Sequence, residues 1–173
     1  MQISIVSRLE SLIVADVMAG DVCCVSSNDT LEEAAKLFIR KGVSAAPVID
    51  EQGFCVGIIS ATDLLRNDCA AQSSESLLLP VDREEEIPDP SGYLEHFAKT
   101  GIEDEYVCRF MTRCIQTVSQ FDGILQAAYV MDAQHIHRLP VLDSFGHPIG
   151  IVSTMDIVSA LLNSIDEAKS RAL

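Results

Sequence analysis

Two stretches of the chain repeat one alternation of apolar and polar positions. Apolar residues recur at helical spacing over Leu31–Lys41 and over Ile124–Gln134, which predicts an amphipathic helix in each stretch. The short apolar runs Val22–Val25 and Ile115–Val118 precede these helices, and turn-forming residues separate each run from its helix. The pattern therefore predicts a strand followed by a helix, twice.

Each predicted helix is followed by two more apolar runs and a second helix. Asp29 or Thr30 is a candidate N-cap of the first helix. The closing helix begins near Asp63 in the first stretch and near Asp156 in the second. The predicted order is thus strand, helix, strand, strand, helix in both stretches. The additional strands, joined in pairs by turns that contain glycine, are Ala45–Asp50, Cys55–Ser60, Arg138–Asp143 and Pro148–Ser153.

The two stretches also match residue by residue. A constant offset of 93 residues aligns them without a gap, which identifies two copies of one supersecondary unit. A copy of roughly 50 residues is marginally stable alone, so we expect the sheets of the two copies to pack against each other. The predicted fold is α/β (α+β), with two pseudo-symmetric β-α-β-β-α repeats packed sheet to sheet. Matched pairs include Met18 and Met111, Pro47 and Pro140, Asp50 and Asp143, Gly57 and Gly150, Ser60 and Ser153, and Asp63 and Asp156.

The repeat divides the chain into five segments. They are an N-terminal segment at 1–15, repeat 1 at 16–68, an acidic connector at 69–105, repeat 2 at 106–163 and a C-terminal helix end at 164–173. A short approach segment that contains Met18 or Met111 precedes the first strand of each copy. The connector is rich in carboxylates and prolines, which is typical of a loop, and Tyr93–Lys99 is a candidate short helix within it.

Composition limits the classes of partner. Of 173 residues, 48% are apolar and 22% are charged, as in a folded protein. The net charge of -14 and the lack of a Lys/Arg cluster argue against nucleic acid and against an anionic membrane surface. No apolar run reaches the roughly 20 residues that span a bilayer, and Met1–Ile13 lacks the pattern of a secretion signal. We therefore expect a soluble protein with no membrane span.

Cysteine usage indicates the compartment. The six cysteines include no C-x-x-C pair and have no histidine at zinc-finger spacing, which argues against a zinc site. Several lie in apolar runs, where a free thiol packs as a small hydrophobic group. Free thiols indicate a reducing compartment, so we expect a cytoplasmic protein.

The repeated motifs resemble those of tandem CBS domains, which together form a Bateman module. Repeat 1 reads DVM and then PVID-x-x-G-x-x-VGIIS-x-x-D, and repeat 2 reads MT and then RLPVLD-x-x-G-x-x-IGIVS-x-x-D. The resemblance covers the chain apart from the connector and the ends. It implies a pseudo-twofold α/β module that binds adenosine compounds between its halves, forms a homodimer and regulates an enzyme, transporter or channel.

The resemblance also implies a set of ligand-binding residues. An ionised carboxylate accepts two hydrogen bonds, which suits Asp63 and Asp156 to the neighbouring hydroxyls of a ribose. In the alternative interpretation, Ser60 and Ser153 cap the following helices together with these carboxylates, and no ligand is needed. The positions that the resemblance places at the ligand are His137, Arg138, Leu139, Pro140, Ser153, Met155 and Asp156 in repeat 2, and Ala46, Pro47, Ser60, Thr62 and Asp63 in repeat 1.

The clearest difference between the copies precedes the shared proline. The string His-Ile-His-Arg-Leu-Pro-Val of repeat 2 is similar to that of the gamma subunit of the AMP-activated kinase, which implies that His137 and Arg138 contact a phosphate. Repeat 1 has Ser44 and Ala45 there and offers no cation. In the alternative interpretation, no ligand is involved. The cations interact favourably with the negative end of the dipole of the preceding helix, or Arg138 pairs with Asp132 or with the connector.

A catalytic or metal-binding role is disfavoured. No third ligand accompanies His135 and His137, and the sequence contains no nucleophile motif, P-loop or H-E-x-x-H motif. We therefore expect no enzyme activity and no cofactor, with an adenosine nucleotide of the AMP, ADP or ATP type as a regulatory ligand that Mg²⁺ can accompany. The other hypothesis is a structural dimerisation module that binds no nucleotide. No catalytic or membrane domain is attached, so we expect the protein to act on a separate partner or to sequester ligand.

Overall fold

The chain forms two small α/β units, seen in a computed structural model that describes residues 5–64 and 105–170. One unit comprises Cys23–Cys114, and the other comprises Met1–Val22 with Ile115–Leu173. Positions 61–64 are helical up to the end of the first described range. The helices are α1 (Ile5–Ser11), α2 (Leu31–Lys41), α3 (Val107–Phe110), α4 (Ile124–Gln134) and α5 (Thr154–Ser170), with a 3-10 turn at Val14–Asp16. The strands are β1 (Val25–Ser26), β2 (Ala45–Ile49), β3 (Cys55–Ser60), β4 (Val118–Ser119), β5 (Arg138–Leu142) and β6 (Pro148–Ser153).

The predicted order of elements is confirmed, and α2, α4, β3 and β6 have the predicted bounds. The predicted first strands, Val22–Val25 and Ile115–Val118, are wrong in their bounds. Hydrogen-bonded pairing begins only at Val25 and Val118 and extends over two residues in each copy. The apolar residues before these positions lack a strand partner, so apolar character alone misplaced the start. The predictions for the connector and for Tyr93–Lys99 lie outside the described residues.

Each repeat forms a three-stranded sheet with the same register. The first strand runs parallel to the second, and the second runs antiparallel to the third. Val48 pairs with Gly57 and Val141 pairs with Gly150, and a register shift follows each pair. The offset seen in the sequence is therefore an offset in hydrogen-bonding register, as expected for two copies of one unit.

One face of each sheet is covered by its helix. In repeat 1, α2 buries Leu31, Ala34, Ala35 and Phe38 against strands β1 to β3. In repeat 2, α4 buries Ile124, Ala127 and Met131. These positions follow the 3.6-residue period that predicted the helices, so burial of an amphipathic face explains both elements.

The capping residues explain why the sequence predicted the bounds of α2 and α4 correctly. Thr30 caps α2 in a reciprocal box, because its hydroxyl accepts from Glu33 N and the Glu33 carboxylate accepts from Thr30 N. Thr30, not Asp29, is thus the N-cap. Helix α2 ends at Gly42 in the left-handed region, φ 63°, and α4 ends at His135 in the same region, φ 51°.

Each approach segment packs against the sheet of the other copy. Ala19 and Ile151 form an antiparallel bridge in the unit that contains repeat 2, and Ile58 and Thr112 form the equivalent bridge in the other unit. The predicted segments follow chain order. In the compact units, by contrast, the stretch before β1 belongs with repeat 2, and the stretch before β4 belongs with repeat 1. Helix α1 also belongs to the unit that contains repeat 2, where it contacts α4 and α5.

Candidate functional site

In repeat 2 the sheet brings two predicted site segments together. Arg138 and Ser153 are register partners at the start of β5 and the end of β6. The backbone N–H of Thr154 donates to the carbonyl of His137 at 3.1 Å, which fixes the first turn of α5 beside the start of β5. The side chains that the resemblance assigned to phosphate and to ribose therefore start from adjacent backbone positions.

The Ser153–Asp156 pair forms a helix cap. The Asp156 Oδ2 atom accepts from Ser153 N at 2.7 Å and from Ser153 Oγ at 2.6 Å, and Asp156 N donates to Ser153 Oγ at 3.3 Å. This reciprocal pattern satisfies N–H groups that have no partner inside the helix. No hydrogen bond to Asp156 Oδ1 occurs within residues 5–64 and 105–170. The cap thus orients the carboxylate and uses one of its two oxygens.

Repeat 1 has the same cap. The Asp63 Oδ2 atom accepts from Ser60 N at 2.8 Å and from Ser60 Oγ at 2.7 Å. Ala45 is the register partner of Ser60, and Ala61 N donates to the Ser44 carbonyl at 2.9 Å. The capping interpretation of the S-x-x-D motif is therefore confirmed in both copies, and it is compatible with a ligand on the remaining oxygen.

Several predicted site residues lie in the core. Leu139 and Ala46 have no exposed surface, and Pro140 and Pro47 are also buried. Leu139 and Ala46 pack in the hydrophobic clusters of their repeats, so at the site they present backbone atoms. The remaining residues of the set lie at the surface end of the sheet: His137, Arg138, Thr62 and Met155 are exposed, and Ser60, Asp63, Ser153 and Asp156 are half-buried.

The Asp that follows each Pro-Val strand has a structural role. The Asp143 carboxylate accepts from the backbone N–H groups of Phe145 and His147 at 2.8 and 2.9 Å and pairs with the His147 ring at 3.2 Å. These hydrogen bonds, led by that from the His147 backbone, lower the pKa of Asp143. Asp50 accepts from Gln52 N and Phe54 N in the same way. Both carboxylates close a turn and lie outside the proposed ligand set.

The interpretation of Arg138 as a partner of Asp132 is wrong. Asp132 takes part in no ion pair with any residue of the described ranges. The carboxylate of Asp132 lies instead on a cavity with His135 and His137. The sequence named these residues, but helical spacing alone did not indicate that they share a cavity.

Repeat 1 carries a cysteine cluster at positions where repeat 2 has Gln116, Thr117 and Pro148. Burial raises the pKa of the Cys24 thiol to about 11, and the neighbouring Cys23 and Cys55 add to this shift. Burial also raises the pKa of Cys55, whose Sγ donates to the Gly57 carbonyl. The five described cysteines all carry free thiols. The raised pKa values keep the half-buried thiols of Cys24 and Cys55 protonated at neutral pH, so these two side chains behave as apolar groups.

Other candidate sites are limited in the described ranges. Residues 5–64 and 105–170 contain no cluster of three or more His, Cys, Asp or Glu side chains arranged to hold a metal ion. The same residues contain no helix that is both long enough and apolar enough to cross a membrane.

Comparison with family profiles and curated proteins gives consistent matches. The profile of the CBS domain matches residues 14–69 and 105–163. An uncharacterized protein of Methanocaldococcus jannaschii is 30% identical over 162 residues, which covers 88% of this chain and 93% of the relative. A homoserine O-acetyltransferase of Methanosarcina acetivorans is 28% identical over 160 residues, 92% of this chain. The chain spans only 24% of the length of that second relative.

Solved structures share the fold. The CBS domain pair of protein MJ0100, in complex with 5′-methylthioadenosine and S-adenosyl-L-methionine, has a TM-score of 0.64 at 23% identity and covers 88% of this chain and 97% of its own. The CBS-pair protein CBSX2 of Arabidopsis thaliana, in complex with AMP, has a TM-score of 0.65 at 24% identity, with 88% and 98% covered. At these identities the likeness concerns the fold.

Proposed function

We propose, from the premise that the chain belongs to the CBS domain family, that it is a regulatory module whose repeat 2 binds an adenosine nucleotide. The observation that carries the proposal is the junction of β5, β6 and α5, where a guanidinium, an imidazole and an oriented carboxylate start from adjacent backbone positions. These groups match the phosphate and the ribose of one ligand.

The carboxylate supports the ribose role. Because the cap holds Asp156 through Oδ2, the Oδ1 atom is oriented without any ligand present. A pre-oriented acceptor loses little side-chain entropy when a hydroxyl binds, which favours affinity. Asp156 therefore caps the helix through Oδ2 and offers Oδ1 to the ribose hydroxyls.

The cations support the phosphate role. Arg138 offers paired N–H donors that match phosphate oxygens, and His137 adds a further donor. The aligned positions in repeat 1, Ser44 and Ala45, have no charge. We therefore assign the phosphate to repeat 2.

The relatives support an adenosine compound. Two similar structures contain ligands that share adenosine and differ in the 5′ group: a thioether, a sulfonium and a phosphate. The common part is the part that the carboxylate would hold. The cations of repeat 2 favour the phosphate member of this group for the present chain.

The experiment is a thermal-shift titration with AMP, ADP, ATP and S-adenosylmethionine, each with and without Mg²⁺. A ligand at about a hundredfold excess over its Kd stabilises the protein by about 2.7 kcal/mol, so a bound nucleotide raises the Tm measurably. We expect Asp156→Ala and Arg138→Ala to reduce the ligand-induced rise. Because Asp156→Ala also removes a cap, the quantity compared is the difference in Tm with and without ligand, and not the Tm itself.

Asp63→Ala is the matched control. It removes the equivalent cap from repeat 1, with the same loss of hydrogen bonds, but leaves the cations of repeat 2 in place. We expect it to keep most of the ligand-induced rise for a nucleotide monophosphate. If no adenosine compound raises the Tm of the wild type, or if Asp63→Ala and Asp156→Ala have equal effects, the assignment to repeat 2 is wrong.

A second candidate function, self-association, is favoured by the exposed apolar side chains of two helices. Tyr129 of α4 is 74% exposed and Leu162 of α5 is 56% exposed, together with Val158 and Leu161. Large apolar groups side by side on a surface mark interaction sites. We expect a concentration-dependent dimer in sedimentation velocity, weakened by Leu162→Glu, while a monomer at all concentrations would remove this candidate.

A further inference from the structure

A cavity lies between the second half of α4 and the first turns of α5, on the helical side of repeat 2. Its volume is about 450 Å³, within the range of small-molecule sites. The walls are apolar and the rim is polar, which is the usual composition of such sites. The apolar wall is formed by Ala128, Met131, Ile136, Ile157 and Val158, and the polar rim by Asp132, His135, His137 and Thr154.

Most residues that line the cavity differ from those at the aligned positions of repeat 1. Met131 takes the place of Phe38, Asp132 that of Ile39 and His135 that of Gly42. The carboxylate and imidazole side chains of the rim are therefore particular to repeat 2.

His135 adds an independent sign of function. It is the only residue other than glycine with a positive φ in the described ranges, at 51°. Gly42 takes the same place in repeat 1, with φ 63°. A side chain in this region costs on the order of 1 kcal/mol, and glycine avoids that cost. A histidine there, with its ring on the cavity, indicates a use for the imidazole.

Asp132 is the acidic residue among those that line the cavity, beside His135 and His137, and a carboxylate matches an ammonium group. The Asp132 carboxylate is exposed and has no hydrogen bond or ion pair within the described ranges. The C-terminal end of α4 adds the negative end of the helix dipole. The positive end of α5 is already matched by the Asp156 carboxylate in its cap. The net charge of -14 acts in the same direction.

We propose that this cavity binds a small organic cation with an apolar body, of the arylalkylamine class. The apolar body lies against Met131 and Ile157, and the ammonium group lies at Asp132. The imidazole of His135 closes the rim beside it. This cavity shares His137 with the proposed nucleotide site, but the carboxylate of that site, Asp156, is not among the residues that line it.

The test uses three probes with one apolar body and different heads: benzylamine, benzyl alcohol and benzoate. Binding is followed by NMR through the ¹³C-labelled methyl group of Met131 at neutral pH. We expect benzylamine to shift this signal in a saturable way at millimolar concentration, as fragments do. Benzoate should bind at least about tenfold more weakly, because it places a carboxylate beside Asp132.

Two substitutions examine the rim. Asp132→Asn should remove the preference for benzylamine over benzyl alcohol while both still bind. His135→Gly should weaken benzylamine binding severalfold without lowering the Tm, because glycine suits the backbone there. The matched control is Asp166→Asn, which removes one exposed carboxylate of α5 outside the cavity. It should bind all three probes as the wild type does.

A third substitution examines the space itself. Met131→Phe introduces the bulkier residue of repeat 1 and removes the reporter methyl group, so benzylamine binding to this variant is followed through the ¹³C-labelled methyl groups of Ile157. We expect no saturable shift there, with the fold checked by the dispersion of the amide signals. The proposal is overturned if benzoate binds as tightly as benzylamine, or if Asp132→Asn and His135→Gly both bind as the wild type does. It is also overturned if the Met131 shift disappears at concentrations where the chain dimerises, since a second copy then occupies the cavity.

Discussion

Repeat 1 and repeat 2 share a backbone plan and differ in the chemistry placed on it. Their sheets have equivalent registers, their closing helices have the same Ser–Asp cap, and their turns close on equivalent carboxylates. At the start of the second strand, however, repeat 1 has Ser44 and Ala45, and repeat 2 has His137 and Arg138. The residues that the two repeats share therefore maintain the fold, and the proposed ligand contacts come from a few positions at which the repeats differ.

The difference extends to the packing of the helices. Phe38 of repeat 1 aligns with Met131 of repeat 2, which lines a cavity. Cys24 of repeat 1 lies close to Cys23 and Cys55, and the aligned positions of repeat 2 are Gln116, Thr117 and Pro148. Repeat 1 thus carries thiols where repeat 2 has none, and repeat 2 carries ionisable side chains where repeat 1 has none. Substitutions that exchange residues between the copies examine this division.

The largest effect is expected where the two repeats are most alike. A Cβ atom on Gly57 would lie 2.8 Å from both the Met111 Sδ atom and the Thr112 carbonyl, and one on Gly150 would lie 2.7 Å from the Met18 Sδ atom. The methionine can move, but the bridged backbone of Thr112 cannot do so without loss of its hydrogen bonds. We expect Gly57→Ala to lower the free energy of unfolding by about 3 kcal/mol, measured by urea denaturation.

Gly150→Ala sharpens this comparison. The backbone oxygen that its Cβ meets, that of Ala19, lies 3.0 Å away, so the clash falls mainly on the flexible Met18 side chain. We expect a smaller loss, about 1 to 2 kcal/mol. Equal losses for the two variants would mean that both approach segments, around Met18 and around Met111, move equally easily to make room for an added methyl group.

The next effect concerns the cysteine cluster. A thiol pKa of about 11, instead of the ordinary 9.0, lowers the thiolate fraction of Cys24 about a hundredfold at neutral pH. The thiolate is the reactive species, so the half-buried Cys24 should react with iodoacetamide more slowly than the exposed Cys114. Mass spectrometry of the digested protein, sampled over time, measures both rates. Equal rates would show that the cluster does not suppress ionisation.

Exchange of the helix-terminal residues should have a moderate effect. Gly42→His places a side chain in the left-handed region with no atom within 4 Å of its Cβ, so strain alone should cost about 1 kcal/mol. His135→Gly should have the opposite sign, reduced by the greater freedom of glycine in the unfolded chain. Thermal denaturation of the two variants gives both signs. A destabilising His135→Gly would mean that the imidazole stabilises the fold itself, and its place on the cavity would then need no ligand.

The elements that the sequence predicted well are those whose signals are local. Helix α2 has an amphipathic period, the Thr30–Glu33 box and Gly42 at its end, and each of these indicates the same boundary. The Ser–Asp motif was also readable, because a cap spans only four residues. The family resemblance then predicted which of these local features contact a ligand.

The remaining features depend on contacts between distant parts of the chain. The two-residue strands β1 and β4 are defined by a parallel partner, and no periodicity marks so short an element. The packing of Met18 on Gly150 joins residues that a sequence pattern cannot pair. The cavity beside Met131 likewise results from the side chains of two helices that are distant in the sequence, and the period of the apolar positions does not indicate it.

The smallest effect is expected at the turn carboxylates. The pKa of Asp143 is lowered first by the backbone N–H of His147, and the His147 ring contributes less. A lowered pKa means that the charged form stabilises the folded state, so this contribution is present above the ordinary value of 3.8 and is lost as the pH falls through the lower folded value. His147→Phe introduces the residue that repeat 1 has at Phe54 and keeps the backbone donor. We therefore expect a ¹³C NMR titration of Asp143 in this variant to retain most of the lowering. A return of the pKa to 3.8 would assign the effect to the imidazole, and the two turns would then differ in electrostatics as well as in sequence.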